Sequence, residues 1–171
     1  MTLRWITITI SLGAAIVVIA TINSKPAPLL IWNASQSVPI GLYALQPADR
    51  FAVADLVVAT PEGPLADFLA ERGYLPLGVP LIKHILAVPG QTICRNHLTV
   101  MVDGIEIGAA RERDHRGRQL PAWEGCRMIG QDEVFLMNRD GPASLDGRYF
   151  GPIRAAAIIG RAQPLWTFES P

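Results

Sequence analysis

The pattern of apolar and polar positions changes after the first 25 residues of the chain. An uncharged, strongly apolar run spans residues 5–22, with Arg4 before it and Lys25 after it. As a helix this run would be about 27 Å long, close to the thickness of the hydrocarbon layer of a bilayer. The pattern predicts an N-terminal membrane anchor over residues 1–25.

Two other interpretations of this run stay open. A cleaved signal peptide needs a small-x-small cleavage site, and residues 20–24 offer no clean one. A buried core helix is the third interpretation. The flanking charges determine the orientation only weakly. If the amino terminus stays inside, an anchor or a signal peptide places residues 26–171 on the far side of the membrane as one domain.

Beyond the anchor the apolar stretches are short and rich in β-branched residues, which is typical of strands. The predicted strands span residues 41–46, 54–59, 81–88, 99–102, 133–137 and 156–160. One helix is predicted over residues 65–72, because Pro64 precedes an apolar face and Gly73 follows it. The expected fold is mainly β: a β-domain with one short helix, on a single N-terminal transmembrane helix.

Composition supports a membrane segment and excludes some classes of function. Half of the 171 residues are apolar, which is high for a small soluble domain. Lys plus Arg and Asp plus Glu both number 15, so no basic field favours a direct nucleic-acid partner. His84, His97 and His115 have no metal-ligand spacing, and we expect neither a metal nor a cofactor.

The two cysteines, Cys94 and Cys126, do not form a CxxC pair. Outside the cytoplasm they could form a disulfide. It would close a loop of about 33 residues and contribute roughly 3–4 kcal/mol in the chain-entropy interpretation. Two free buried thiols are the alternative.

Two serines, Ser35 and Ser37, follow the predicted anchor. Pro39 restricts Val38 to extended backbone and Gly41 permits a turn, so this loop could present a hydroxyl at a fixed angle. The amide of such a serine can also stabilise an oxyanion. Serines near prolines are ordinary loop residues, so this stretch alone does not identify a nucleophile.

Lys83 lies in a predicted strand whose two faces are both apolar. Burial would lower the pKa of Lys83, and a neutral amine can act as general base for a serine. A lysine that reaches solvent at the strand edge is the alternative. His84 is a rival base, but it points to the opposite face, and the sequence places no acidic residue to orient it.

A polar, turn-rich stretch over residues 137–152 follows an apolar strand and ends in an aromatic pair and Gly-Pro. Asp146 and Arg148 are spaced to form an ion pair if the backbone is extended. A solvated surface loop is the ordinary interpretation of such a stretch.

Together, these stretches resemble the type I signal peptidase family of Ser/Lys peptidases, in particular its TraF-type conjugative transfer branch. The resemblance rests on four stretches in the same order. They are the nucleophile box with Ser37, Pro39, Gly41 and Tyr43; the Gly-Asp-hydrophobic strand at 54–58, here without the glycine; the lysine box KHILAVPG at 83–90; and the terminal box SLDGRYFG at 144–151.

The resemblance implies roles for the matched residues. Ser37 would attack the scissile carbonyl, and Lys83 would take its proton and return it to the leaving amine. Ser35 would help to bind the oxyanion, and Ser144 would orient the lysine amine.

Asp146 and Arg148 match an acid–base pair that supports the site, and the aspartate is functionally important in the conjugative branch. Gly147 replaces the usual serine between them, and we expect it to loosen the backbone beside Asp146. His84 stands where an arginine is common. Pro39 comes one residue earlier than in general signal peptidases, which favours the conjugative branch.

The resemblance implies a single-pass serine endopeptidase in the cytoplasmic (inner) membrane, with its catalytic domain on the periplasmic side. Its substrate would be a pilin precursor or another exported protein, trimmed and in some members joined head to tail. The expected partners are this substrate, the lipid bilayer and the conjugative transfer apparatus. The alternatives are a general type I (leader) signal peptidase and a non-enzymatic, membrane-anchored β-domain of a transfer channel.

Overall fold

The computed structural model describes the backbone of residues 2–23 and 30–168 and the side chains of residues 5–16 and 30–168. The N-terminal helix α1 (Thr2–Asn23) contains the predicted apolar run. Its large side chains are exposed, among them Trp5, Ile10 and Leu12. Within the described residues, no helix combines the length and the apolarity that crossing a bilayer requires. The predicted span continues past residue 16, where the side chains lie outside the described residues, and the single-pass anchor stays a prediction.

Residues 30–168 form two antiparallel sheets with short helices between the strands. One sheet has the strand order β1-β2-β11-β3-β4-β9-β10, and the other has the order β7-β6-β5-β8. The strands are β1 (Leu30–Asn33), β2 (Ile40–Gln46), β3 (Leu56–Ala59), β4 (Leu81–Ala87), β5 (Thr92–Asn96), β6 (Thr99–Val102), β7 (Ile105–Ala109), β8 (Gly125–Met128), β9 (Glu133–Leu136), β10 (Ile153–Arg154) and β11 (Ile158–Phe168). The helices are α2 (Gly63–Glu71), α3 (Gly147–Phe150) and a 3-10 turn (Ala155–Ala157). The prediction of a mainly β domain is confirmed.

Strand β4 lies near the centre of the larger sheet, between β3 and β9. Its partner Val57 on β3 is opposite Lys83, and Ile85 pairs with Leu136 on β9. The side chains of Val57, Ile85 and Leu136 are fully buried. These three side chains lie on the face of Lys83, and Ile82 on the opposite face is buried in a separate core cluster. Both faces of β4 are therefore apolar, as predicted.

The smaller sheet carries the two cysteines on neighbouring strands. Cys94 on β5 and Cys126 on β8 are register partners, and they form a disulfide across the strand pair. The predicted pairing is confirmed over the alternative of two free thiols. β8 has four exposed residues and pairs only with β5 among the described strands, and the disulfide adds a covalent cross-link to this pairing.

Two backbone positions in the matched stretches, Ala54 and Gly147, carry a different residue from the family pattern. Ala54, where the family pattern has a glycine, has a φ of 76°, a conformation that glycine adopts without strain. Gly147 does not loosen its surroundings. It is buried in the first turn of α3, and it packs against the ring of Phe135 and the carbonyl of Leu136. The expected loosening beside Asp146 is therefore wrong: glycine is present because the space for a Cβ is already filled.

We expect Gly147→Ala to lower the free energy of unfolding by about 1–3 kcal/mol, because overpacking forces neighbours out of position. An added Cβ would lie 2.6 Å from Phe135 Cε2 and 2.7 Å from Leu136 O. Gly130→Ala is the matched control, since its nearest neighbour, at 3.2 Å, is the end of the flexible Glu133 side chain. Urea unfolding of both variants checks this. Equal midpoints for the two would contradict it.

Candidate active site

The loop between β1 and β2 carries both candidate serines and is fixed by a buried asparagine. Asn33 Nδ2 donates to the carbonyl oxygens of Ser35 (2.8 Å), Val38 (3.0 Å) and Pro39 (3.1 Å). The hydroxyl of Tyr43 also donates to Pro39 O, at 2.6 Å. The loop is therefore held at three of its carbonyl groups, which is the rigid presentation that Pro39 and Gly41 suggested.

The two serine hydroxyls form a directed chain. Ser35 Oγ donates to Asn33 Oδ1 at 2.9 Å, and Ser35 Oγ lies 3.0 Å from Ser37 Oγ. A hydroxyl carries one proton. Since Ser35 donates its only hydroxyl proton to Asn33 Oδ1, Ser37 is the donor in the serine–serine hydrogen bond.

Lys83 is buried, with 4% of its surface exposed. Burial lowers the pKa of Lys83 from 10.5 to about 8; the Asp146 carboxylate raises it, and the Arg148 guanidinium lowers it. Lys83 Nζ donates to Ser144 Oγ at 2.8 Å. The structure thus brings Ser144 to the lysine amine, as the terminal box implied. Within the described part of the chain, no hydrogen bond joins Ser37 Oγ directly to Lys83 Nζ.

Asp146 and Arg148 form a two-point ion pair inside the domain. Arg148 Nε donates to Asp146 Oδ1 and Arg148 Nη2 donates to Asp146 Oδ2, both at 2.8 Å. Asp146 is fully buried and Arg148 is 2% exposed. Asp146 also caps α3 by accepting the backbone N–H of Arg148 at 3.2 Å. The interpretation of this stretch as a solvated surface loop is therefore wrong for residues 144–149, which are largely buried, and holds for residues 139–143, which are mostly exposed.

The same arginine fixes the loop that carries Ser144. Arg148 Nη2 donates to the carbonyl oxygens of Gly141 (2.7 Å), Ser144 (3.2 Å) and Asn138 (3.3 Å). One side chain thus holds the turn over residues 138–144 at three points. This turn brings the Ser144 hydroxyl to Lys83.

Sequence reasoning missed Asn138, which joins the serine loop to the lysine strand. Its Nδ2 donates to Ser37 O at 2.7 Å and to Ile82 O at 3.2 Å, and its Oδ1 accepts the backbone N–H of His84 at 3.0 Å. Asn138 lies just before the terminal box, in a polar stretch that looked like surface. Its pairing with Ser37 spans 101 residues, so no local pattern could have indicated it.

His84 contacts Asn138 rather than a serine. His84 Nδ1 lies 3.1 Å from Asn138 Oδ1, and the residue is partly exposed. Asp55, from the second box, also lies apart from these groups, since it pairs with Arg161 on β11 at 2.9 Å. Of the candidate residues, the structure therefore links Ser35 with Ser37, and Lys83 with Ser144, Asp146 and Arg148.

Known proteins similar to this chain point in the same direction. The sequence profile of the family described as "Signal peptidase, peptidase S26" matches residues 2–166. A "Probable conjugal transfer protein TraF" of Sinorhizobium fredii is 38% identical over 148 residues, covering 80% of this chain and 76% of that protein. A "Conjugal transfer protein TraF" of Agrobacterium fabrum is 33% identical, and a "Plasmid transfer protein TraF" of Escherichia coli is 30% identical. Each of the two covers 80% of this chain and 82% of the relative.

A solved signal peptidase I from Enterococcus faecalis is also similar, with 16% identity and a TM-score of 0.39, over 66% of this chain and 97% of that one. The profile match spans nearly the whole chain, and the similar transfer proteins extend over most of their own length. The chain therefore belongs to the signal peptidase family, peptidase S26.

Proposed function

We propose that the chain is a serine endopeptidase of conjugative transfer, with Ser37 as nucleophile and Lys83 as general base. The observation that carries this proposal is the buried Lys83 amine, whose lowered pKa makes the neutral form accessible near neutral pH. Family membership supports peptidase chemistry on exported proteins. The names of the relatives favour a role in conjugation.

In the proposed mechanism the hydroxyl of Ser37 changes partner. It donates to Ser35 Oγ in the structure, and it must turn to Lys83 Nζ for reaction. A neutral amine has two protons and one lone pair. One of these protons is donated in a hydrogen bond to Ser144 Oγ, so the lone pair of Lys83 Nζ points away from that serine. Ser37 Oγ then bonds to the scissile carbonyl carbon as its proton passes to Lys83.

Collapse of the tetrahedral intermediate completes the first half of the reaction. The Lys83 ammonium gives its proton to the leaving amine, the C–N bond breaks, and an acyl-enzyme on Ser37 remains. The backbone N–H of Ser37 and the hydroxyl of Ser35 are the proposed oxyanion donors. Ser35 must then exchange Asn33 Oδ1 for the oxyanion as its acceptor.

The proposed substrate is a pilin precursor that binds in extended form. β9 pairs with β4 only from Ile85 onward, so the edge of β4 at Leu81–Lys83 on that side has no strand partner among the described residues. An extended peptide could add there, main chain to main chain. Attack on the acyl-enzyme by water yields a trimmed product. Attack by the amino terminus of the same pilin yields a ring.

The proposed location is the periplasmic surface of the inner membrane, with α1 as a single-pass anchor. Exposed apolar side chains cluster on the sheet edge formed by β1, β2 and β11. Trp166 lies between Trp32 and Phe168, with ring centroids 6.5 Å and 5.0 Å apart. These rings are 48–61% exposed, and Leu30 and Leu165 beside them in sequence are also exposed. Aromatic residues of this kind favour the interface between bilayer and water.

Ser37→Ala and Lys83→Met, tested separately, should each abolish maturation of the pilin precursor in membranes. The first lacks the nucleophile and the second lacks the base, so the loss should exceed about a thousandfold. Mass spectrometry of the wild-type product distinguishes a linear chain from a ring, which is lighter by one water. Normal maturation in either variant would overturn the mechanism.

The alternatives give different results in the same assay. A general signal peptidase would process many unrelated secretory precursors and would complement a host depleted of its own enzyme. A non-enzymatic channel domain would associate stably with channel components, and Ser37→Ala would leave its function intact.

The pH dependence follows from the lysine. Since only neutral Lys83 can accept the proton, kcat/KM should rise about tenfold per pH unit below the pKa and level off above about 8. Steady-state rates on a precursor peptide between roughly pH 6 and 10 check this. A flat profile over that range would be incompatible with Lys83 as the base.

Replacing Trp32 and Trp166 by Ser should weaken association of the domain with lipid while leaving the serine loop intact. Each ring contributes a large apolar surface at the proposed interface. Co-sedimentation of the residue 26–171 domain with phospholipid vesicles measures the effect. Leu77→Ser is the matched control, because Leu77 is equally exposed at 64% but lies outside the aromatic cluster. Equal vesicle binding by all three proteins would contradict the proposed location of the membrane surface.

A further inference from the structure

The side chain of Asn138 is buried and makes more cross-element contacts than either candidate catalytic residue. It is 2% exposed, and both of its polar atoms are engaged. Its partners belong to two segments that are distant in sequence: Ser37 in the β1–β2 loop, and Ile82 and His84 on β4. The lysine strand and the nucleophile loop are thus connected through one amide group.

The orientation of this amide is determined by its partners. Ser37 O and Ile82 O are carbonyl oxygens, which only accept, and the backbone N–H of His84 only donates. Nδ2 must therefore face the two carbonyls and Oδ1 must face His84. It follows that His84 Nδ1, 3.1 Å from Oδ1, carries a proton.

Where β9 ends, the side-chain amide of Asn138 makes the hydrogen bonds to β4 that a longer strand would make. The last main-chain bond of the ladder is Met137 N–H to His84 O, at 2.9 Å. From there the amide serves His84 N–H and Ile82 O, the next main-chain groups on the same edge of β4. Its second proton is left for Ser37 O, at 2.7 Å. The main-chain groups of Ile82 and His84, the neighbours of Lys83 in β4, are therefore connected through the Asn138 amide to the backbone of Ser37.

The backbone of Asn138 is in turn held by the buried ion pair. Its N–H donates to Asp146 Oδ2 at 3.1 Å, and its carbonyl accepts from Arg148 Nη2 at 3.3 Å. The Asp146–Arg148 pair thus has a structural path to Ser37 that passes through Asn138. This path is separate from the one that reaches Lys83 through Ser144.

We propose that Asn138 is a positioning residue that sets the placement of Ser37 relative to Lys83, and that the Asp146–Arg148 pair acts on the nucleophile through it. The inference rests on the proposed Ser37/Lys83 mechanism. Asn138 contacts the carbonyl of Ser37 and not its hydroxyl, so it aligns the reacting groups without taking part in proton transfer. Misplacement of a reacting group by about 1 Å can cost about a hundredfold in rate.

Asn138→Ala should lower kcat per folded molecule by about ten- to a hundredfold. KM should change little, because the variant removes only the side-chain bond to Ile82 O on the substrate edge and leaves the main chain of β4 in place. The pH inflection near 8 should also stay, since the burial of Lys83 is unchanged. The measurement is a pH series of kcat and KM on a precursor peptide, with the folded fraction taken from circular dichroism.

Two further variants sharpen the test, and kcat is expressed per folded molecule for each of them. Asn138→Asp has the same shape, but an ionised carboxylate cannot donate to Ser37 O or Ile82 O. Its kcat at the alkaline plateau should fall as in Asn138→Ala. Gln91→Ala is the control, because Gln91 also joins two segments, Val88 and Asp103, through its amide away from the serines. It should lose stability and keep kcat.

The outcomes separate this inference from the function on which it rests. If Ser37→Ala or Lys83→Met stays active, the proposed mechanism fails whatever Asn138 does. If both are inactive and either Asn138 variant keeps the wild-type kcat per folded molecule, the positioning role is overturned alone. A loss in Asn138→Ala that comes with a moved pH inflection also overturns it, because Asn138 would then act through the pKa of Lys83.

Discussion

Lys83 occupies the middle of a sheet, with β3 against one edge of its strand and β9 against the other just downstream. Removing an ammonium group from water costs free energy, so burial favours the neutral amine and lowers the pKa. The folded pKa of about 8 lies below the ordinary 10.5. This difference corresponds to roughly 3 kcal/mol of stability that is absent below pH 8 and is regained as the pH rises from about 8 to 10.5. Burial of Lys83 therefore lowers the stability of the fold at neutral pH and at the same time makes the neutral amine accessible as a base.

The groups around the Lys83 amine reduce the free-energy cost of burying its charged form but do not remove that cost. Ser144 supplies one acceptor, and the Asp146 carboxylate raises the pKa of Lys83 while the Arg148 guanidinium opposes it. The two charges of the ion pair act on the pKa of Lys83 in opposite directions, and desolvation is the main influence. A buried ion pair adds little net stability compared with apolar packing. Its contribution here is geometric, since Arg148 holds three carbonyls of the turn and Asp146 caps α3.

Two asparagines give the serine loop its form. Asn33 holds the loop from within, at the carbonyls of Ser35 and Val38, and Asn138 holds the carbonyl of Ser37 from the turn after β9. An amide side chain suits this purpose because it is neutral, planar and both donor and acceptor. It can therefore be buried next to Lys83 without adding a charge that would shift the pKa of the base. The rigidity of the loop and the accessibility of the neutral lysine are thus maintained by different residues.

The sequence by itself determined the parts of this protein that local pattern controls. Alternating or continuous apolar runs predicted β2, β3, β4, β6 and β9, and Pro64 and Gly73 marked α2, because a strand or helix that packs into a core must repeat its apolar positions at a fixed period. The same rule placed Lys83 among apolar neighbours, and the structure decided for burial over exposure at the strand edge. Strands β1, β5, β7, β8 and β10 were missed, and β7 and β8 are so short and exposed that no periodic pattern identifies them. The strand predicted over 156–160 begins at Ile158, after a 3-10 turn, and runs on to Phe168. Only the tertiary structure decided that β11 lies between β2 and β3, that Gly147 is needed to admit Phe135, and that Asn138 contacts Ser37. These contacts join residues up to about a hundred positions apart, and their formation depends on the packing of the whole sheet rather than on the sequence around either partner.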